Sequence, residues 1–559
     1  MIVSLFASEY ETHSMNFLRT IRRFPLLTII FCAFPVIAQD TADTVEIVSE
    51  SAVITFSLNG AYPIGWDIVD PEFVQEGESV PLIYKDGGPD FPYPFRLILD
   101  GPDGELTGFA NTTKYSYELV DTEGSGVRHI FTSPIHSSGL LITKKFELTS
   151  RFHATLEIDL TNTMSTSTLG IEEPAITLGA GLGSIPKSIG GLGDSMYSYV
   201  EAVGYGNGNL TPFELSKEET EIQYPEDEST FDWIGVHNRY YLMAVATNAI
   251  EFTSARISVP DEILGQLEFP DEAIQYFPEI ELGMNLAGIV EATISLLASL
   301  EIYAGPKDRA SLRKSFNEVD YDLDSVMYSS LPNWMRWITF KLGALLNAIN
   351  GIVHVWWVTL LVLVVIVRLL LFPVAQKAIK MNEQMLADQA KLKPHIDALK
   401  EKHNDPNVQY QKTMALYKEH GINPMAPMLG CLPVLLQLPI LIAIFNLLGQ
   451  EVKMQGATFL WVKDLSIPDQ LFELPFVLPY FGGYFNLLPL LMSVTMVLTT
   501  NMGTTAEGDQ KKTQMRSMTI LAFVFFALFY SFPAGLVLYW MMSNIGQYIQ
   551  QEVMARRMR

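Results

Sequence analysis

LLVLVVIVRLLLFP, residues 360–373, is the stretch on which the fold turns. It is apolar throughout except for Arg368, and no other charge lies between Lys341 and Lys377. A run of this kind reads as a bilayer span. A cation at the centre of a span costs ~2.5–3.5 kcal/mol on insertion scales. Two readings of Arg368 follow. It lies four residues before Phe372, so ~6 Å of helix plus its own stem reaches the nearer interface by snorkelling. Alternatively, the bundle holds a water-filled recess around the guanidinium. Gln437, Ser493, Thr495 and Asn544 are the polar residues of other spans that would wet such a recess, and no span supplies an acid to pair with Arg368. An unpaired cation in a wet recess attracts acidic or polar parts of a passing chain.

Working outward, spans are predicted at about 353–372, 428–448, 485–502, 518–532 and 535–550. The last two share a charge-free stretch from Ser517 to Gln551, too long for one straight crossing and broken at Pro533-Ala534-Gly535. That reads as a tight hairpin. Segment 373–427 carries eight lysines, the 503–517 loop has Lys511, Lys512 and Arg516, and the tail ends in Arg556, Arg557 and Arg559. All three fall on one side if five spans alternate from an exported N-terminal domain, as the positive-inside rule requires.

The acidity of the chain is confined to that exported block. Residues 40–330 hold 47 Asp and Glu against 15 Lys and Arg, while the whole chain has a net charge of −25, so the remainder is mildly basic. An acidic block of this size repels nucleic acid. Ahead of it, residues 24–38 (FPLLTIIFCAFPVIA) follow Arg19, Arg22 and Arg23. Fifteen residues rise only ~22 Å, so a cleaved signal and a retained anchor both stay open. Val36 and Ala38 suit a signal peptidase, and Met15 is an alternative start. Cys32 and Cys431 both lie in apolar segments, which leaves no disulfide framework or Cys-based metal site.

The exported part, 45–304, reads as mostly antiparallel β. Phe152–Leu160 (FHATLEIDL) alternates apolar and polar residues, which buries one face and wets the other. Gly179–Gly193 is rich in glycine but lacks the G-x-x-x-x-G-K-[ST] order, so it reads as a surface loop. His129, His136, His153 and His237 have no metal-ligand or triad spacing and read as solvated or hydrogen-bonded side chains. The polar stretch 306–330 reads as a linker. Trp334, Trp337, Ile338, Leu342, Leu345 and Leu346 then cluster at helical spacing, as in an amphipathic helix in the headgroup region. Packing of this helix on the bundle is the plainer alternative.

Residues 374–427 form a predicted helical hairpin joined at His403-Asn404-Asp405-Pro406. Met385, Leu392, Leu399 and Ile396 face Tyr410, Met414 and Tyr417, Pro394 kinks the first arm, and Gly421 stops the second. The division is therefore 1–39 signal or first transmembrane segment, 40–305 exported domain, 306–352 linker and amphipathic helix, and 353–555 membrane domain.

Several of these motifs, in this order, resemble the YidC-type membrane protein insertases (YidC/Oxa/Alb family). They are Arg368 before Leu371-Phe372-Pro373, Ala415-Leu416-Tyr417-Lys418 with Asn423-Pro424, and Cys431-Leu432-Pro433 with Gln437-Leu438-Pro439. Phe532-Pro533-Ala534-Gly535-Leu536-Val537-Leu538-Tyr539-Trp540 with Ser543-Asn544 resembles the final hairpin of that family. The exported domain, closing in Ile302-Tyr303-Ala304-Gly305-Pro306, is similar to the large periplasmic domain of the Gram-negative members.

The resemblance implies a fold and a function. The fold is an α-helical polytopic bundle of five spans plus the N-terminal segment, with an exported all-β supersandwich. The function is a non-enzymatic insertase and chaperone, without cofactor, that passes short hydrophilic segments of nascent membrane proteins across the bacterial inner membrane, alone or with the Sec translocon. Residues 40–330 would be periplasmic, and hairpin 374–427 and the C-terminus cytoplasmic. The basic hairpin face is a candidate for ribosome contact, while the basic tail that some members use for this is reduced to Arg556, Arg557 and Arg559. The implied client groove comprises Arg368, Gln437, Tyr539, Trp540 and Asn544, with Val364 where a hydroxyl is common. Two rivals remain. A secondary transporter would use Arg368 as a substrate or counter-ion site and should show paired ionisable residues or inverted repeats. A sugar-binding exported domain on mere anchors would have no use for Arg368 or the hairpin.

Overall fold

A computed structural model describes residues 43–558 apart from 75–77, 85–90, 100–104, 123–125, 165–168, 172–173, 184–198, 216–218, 225–230, 248–251, 260–277, 285–288, 291–294, 314–320, 403–404, 420–431, 479–480 and 504–507. The segment 24–38, Gly421 and most of the glycine-rich run fall outside the described residues.

Alternation builds the β-domain. In strand His153–Asn162 the side chains of Ala154, Leu156, Ile158 and Leu160 are buried while those between them are half-exposed. This strand sits inside an antiparallel sheet of nine strands, between 140–148 and 295–306. A four-stranded sheet (44–48, 52–57, 62–68, 80–81) and a five-stranded sheet (221–224, 252–258, 279–284, 175–180, 97–98) complete the β layers. Phe56 stacks on Phe131 at 5.0 Å and Trp66 meets Phe146 edge-on at 6.0 Å, so the four-stranded sheet covers the inner face of the large one. Each such buried aromatic contributes ~1.5–3 kcal/mol. The result is a β-sandwich, as expected.

One buried cation locks a corner of it. Lys144 Nζ donates to the carbonyls of Gly60 (2.8 Å), Ala61 (3.1 Å) and Phe95 (3.1 Å). Burial pulls its ammonium down to about 7, while three carbonyl oxygens replace the water it has lost. The turn needs its glycine, because Gly60 has φ +84° and an added Cβ would lie 2.3 Å from the Asn111 carbonyl. The four histidines are hydrogen-bonded or packed. His129 meets the Tyr117 hydroxyl at 2.9 Å, His136 the Ser138 hydroxyl at 2.9 Å and His237 Glu201 at 3.0 Å, while His153 lies edge-on to Tyr303. No group of metal-ligating side chains occurs among the described residues.

Helix α1 (Glu105–Thr112) and the short α2 (Arg309–Leu312) precede the long helices α3 (Asn333–Val353), α4 (Trp356–Lys402), α5 (Pro406–Glu419), α6 (Leu432–Gln450), α7 (Leu487–Gly503), α8 (Gly508–Phe529) and α9 (Ala534–Met558). The stretch read as a linker is in fact packed. Leu312, Leu323, Val326 and Tyr328 are buried there, and Arg309 binds Asp324 at 2.9 Å. Its charges pair with one another, which frees the apolar residues between them to join the core.

Helix α3 does two things at once. Met335, Thr339, Gly343, Leu346 and Ile349 are buried, with Gly343 close against Leu447 of α6, while Trp334 and Trp337 stay 56% and 62% exposed. It therefore packs on the bundle and still presents tryptophans outward. His354, at φ 55°, ends it and lets α4 begin.

Helix α4 carries the opening stretch and runs 47 residues, passing Pro373 and Pro394, about 70 Å of helix. The apolar segment ends at Pro373, but the helix does not, and it continues into the first arm of the hairpin. The second arm opens at Pro406, with Asp405 Oδ1 accepting from the Asn407 amide at 2.9 Å, a side-chain cap followed by proline. Leu392 and Tyr417 are buried as predicted, whereas Tyr410 is exposed.

Among the described residues one helix segment, Trp356–Pro373, is long and apolar enough to cross a bilayer; Leu438–Gln450, Leu487–Thr499 and Met515–Phe529 are shorter apolar segments. The β-domain seats on the C-terminal end of α6. Arg239 Nε donates to the Gly449 carbonyl, a cation at a helix C-terminus. Lys453 binds Glu72 at 2.7 Å and Asp308 at 3.2 Å. Between them Glu451 is buried, which raises its carboxyl to about 7.

Candidate functional site

The site begins with where α9 starts. Ala534 and Gly535 donate their amides to the carbonyls of Ile467 and Leu465, both at 2.8 Å. An added Cβ on Gly535 would lie 2.9 Å from the Met454 side chain, so the Pro-Ala-Gly turn allows the helix to enter close to the loop after α6. From there α9 packs along α4 and α7.

On α4, Arg368 reaches across to α9. Its Nη2 donates to both the backbone carbonyl and the hydroxyl of Ser543, the latter at 2.9 Å. Gly546, one turn further, makes room for the side chain. A Cβ there would lie 3.0 Å from Arg368 Cδ, 3.1 Å from its Nε and 3.7 Å from Val364 Cγ1. Val364 and Arg368, four residues apart on one face of α4, thus both lie against that glycine, and Val364 is buried.

The guanidinium keeps capacity to spare. Among the described residues, Arg368 Nε is buried with no hydrogen-bond partner, and so are Asn544 Nδ2 and Ser493 Oγ. Both partners of Arg368 at Ser543 are neutral oxygens. A guanidinium has five N–H donors in a planar fork, and the stretches 356–373, 432–450, 487–503, 515–529 and 534–551 contain no Asp or Glu.

The expected groove residues divide. Tyr539 is buried one turn before Ser543, within electrostatic reach of Arg368. Trp540 packs instead on α8, its ring 5.1 Å from Phe525 and 5.0 Å from Phe529. Successive residues on a helix point about 100° apart, so the two rings meet different neighbours. Thr495 turns its hydroxyl back to the Met492 carbonyl at 2.7 Å. Gln437 lies on α6, but its side chain is outside the described residues. Sequence reasoning missed Ser543 and Gly546 as partners of Arg368. The available signal was a pair of small residues at i, i+3 within YWMMSNIGQYIQ, residues 539–550.

The family model described as 60Kd inner membrane protein matches residues 348–559, which hold all of these groups. The protein called membrane protein insertase YidC in Pelodictyon phaeoclathratiforme is 29% identical over 382 residues, covering 66% of this chain and 59% of that protein. Its namesake in a Marinomonas species is 26% identical over 517 residues, covering 89% of this chain and 82% of that protein. Residues 348–559 thus match the 60Kd inner membrane protein family, and the chain is similar to YidC membrane protein insertases.

Four of the YidC relatives are matched over 53–59% of their own length. Among solved structures, an active YidC insertase with its first transmembrane domain resolved aligns at 17% identity and a TM-score of 0.35, covering 92% of this chain and 93% of that one. A superposition that loose carries no argument. The similarity to YidC insertases rests on the sequence matches.

Proposed function

We propose that this chain is an inner-membrane insertase that passes short polar segments of nascent membrane proteins across the bilayer while their apolar spans enter lipid. The observation that carries this reading is Arg368, whose partners among the described residues are the neutral oxygens of Ser543 and whose Nε is unpartnered among them. A cation without a fixed carboxylate retains its attraction for the acidic or polar part of a client. A wet recess around Arg368, Tyr539, Ser543 and Asn544 would shorten the apolar barrier that this part must cross. Gln437 and Trp540 belong to the same client path under this reading, Trp540 through its packing on α8. The driving force is burial of the client's apolar helix, at ~25 cal/mol per Å². Five spans, from α4, α6, α7, α8 and α9, would place the exported domain outside, and hairpin 374–427 and the C-terminus inside, where ribosomes and the Sec translocon deliver clients.

The test is reconstitution. The full chain in lipid vesicles without nucleotide is expected to make the exported segment of a short client inaccessible to added protease, well above protein-free vesicles. Equal accessibility in the two preparations would overturn the proposal.

A further inference from the structure

Between α6 and α7 the chain carries an antiparallel ribbon, Phe472–Leu478 paired with Gly482–Phe485. A strand packed on one side alternates buried and exposed residues. Here only Leu474 is half-buried and the other six residues of the first strand are exposed. Phe476 and Val477 point to opposite faces and are 59% and 74% exposed. The ribbon is nevertheless firmly rooted. Asp469 Oδ2 accepts from the amides of Leu487 (2.8 Å) and Leu488 (2.9 Å), which caps α7, and Asn486 Nδ2 donates to the Tyr530 carbonyl at 2.7 Å. A fixed apolar ribbon bare on both faces is a poor match for water.

We infer that this ribbon lies in the outer interface of the bilayer, its two faces covered by lipid at the boundary of headgroups and acyl chains. This rests on the reading of the helices as spans. Span length is the first argument. Helix α7 has 17 residues, a rise of ~25 Å against a hydrocarbon core of ~30 Å, yet the charge-free run extends from Leu474 to Ala506. The surplus apolar length is the ribbon. Continuity is the second argument. The exposed apolar surface runs from the ribbon onto α7 at Leu490, Val494 and Leu498, and the Phe481 ring meets Tyr530 of the following turn at 4.9 Å.

Backbone chemistry sets the depth. An open two-stranded ribbon leaves edge N–H and C=O groups that hydrocarbon cannot satisfy, so it belongs where headgroups and water reach it. Pro475 removes one edge donor, and Tyr484, partly buried opposite Glu473, is of the residue type enriched at that level.

Spin labels on the full chain test this. With Cys32 and Cys431 replaced by serine, a nitroxide is placed at Val477→Cys or, in a second variant, Phe476→Cys, and the protein is reconstituted in phosphatidylethanolamine–phosphatidylglycerol vesicles. Leu498→Cys on α7 serves as the lipid reference and Asn59→Cys on the exported domain as the water reference. The expected result is a several-fold excess of oxygen over nickel-complex accessibility at both ribbon sites, as at Leu498→Cys. Nickel accessibility equal to that of Asn59→Cys would place the ribbon in water. Low accessibility to both agents would mean a protein cover, such as a second copy. Either outcome overturns the inference. Water-like behaviour at Leu498→Cys itself would instead remove the span reading beneath it.

Discussion

Arg368→Ala is expected to slow insertion of clients with charged or polar exported segments by about 10- to 100-fold in reconstituted vesicles. A hydrogen bond to a charged group is worth ~1.5–3 kcal/mol, and each ~1.4 kcal/mol is a factor of ten in rate. Clients whose exported segments are short and apolar should lose little, because they draw nothing from the cation. Arg368→Lys keeps the charge but loses the fork that engages two oxygens of Ser543, so it should fall between alanine and the unaltered chain. The snorkelling alternative predicts otherwise. An arginine that only carries its own charge to the interface is replaceable by lysine, and by alanine, without loss. Equal insertion by all three proteins, at equal amounts in the membrane, would therefore return Arg368 to a passive role.

The second large effect is expected at a residue with no functional group. Gly546 leaves the space in which Arg368 Cδ and Nε lie, at 3.0 and 3.1 Å from where a Cβ would be. Gly546→Ala forces the arginine to give by a few tenths of an ångström, and a several-fold loss of insertion is expected. Gly546→Val fills the cradle, adding bulk against Val364 as well, and should approach the loss caused by Arg368→Ala, since a misplacement of ~1 Å can cost about 100-fold. The two substitutions act on one contact, so the double variant should be scarcely worse than Arg368→Ala alone. Losses that multiply in the double variant would show that Gly546 serves helix packing and leaves the cation unaffected.

These two residues also show where the sequence stops being legible. Arg368 stands out because a lone charge in an apolar run has a known cost, and strand His153–Asn162 stands out because alternation has a period of two. Ser543 and Gly546 give no such signal. They are small and neutral, and the arginine they receive is distant in sequence. The linker misled for a related reason. Arg309 and Asp324 look like solvated charges in a list of residues, but at 2.9 Å they neutralise each other, and the tyrosines and leucines beside them pack inward. The ribbon at 472–485 was invisible because a strand exposed on both faces has no alternation to detect. Tyr539 and Trp540 are grouped by the family resemblance alone, and helix geometry sets one near Arg368 and the other against Phe525 and Phe529. Family resemblance points to the candidate site, and the contacts add Ser543 and Gly546 as neighbours of Arg368.

The central claim is that the partner of Arg368 is a transient polar segment of a client. Site-specific photocrosslinking from Asn544 tests it most directly, since its amide is buried beside Ser543 with Nδ2 unpartnered. With benzoylphenylalanine at 544 and a client arrested during insertion, adducts should map to the client's polar exported segment and disappear once insertion is complete. Adducts confined to lipid, or to the client's apolar helix alone, would contradict the account.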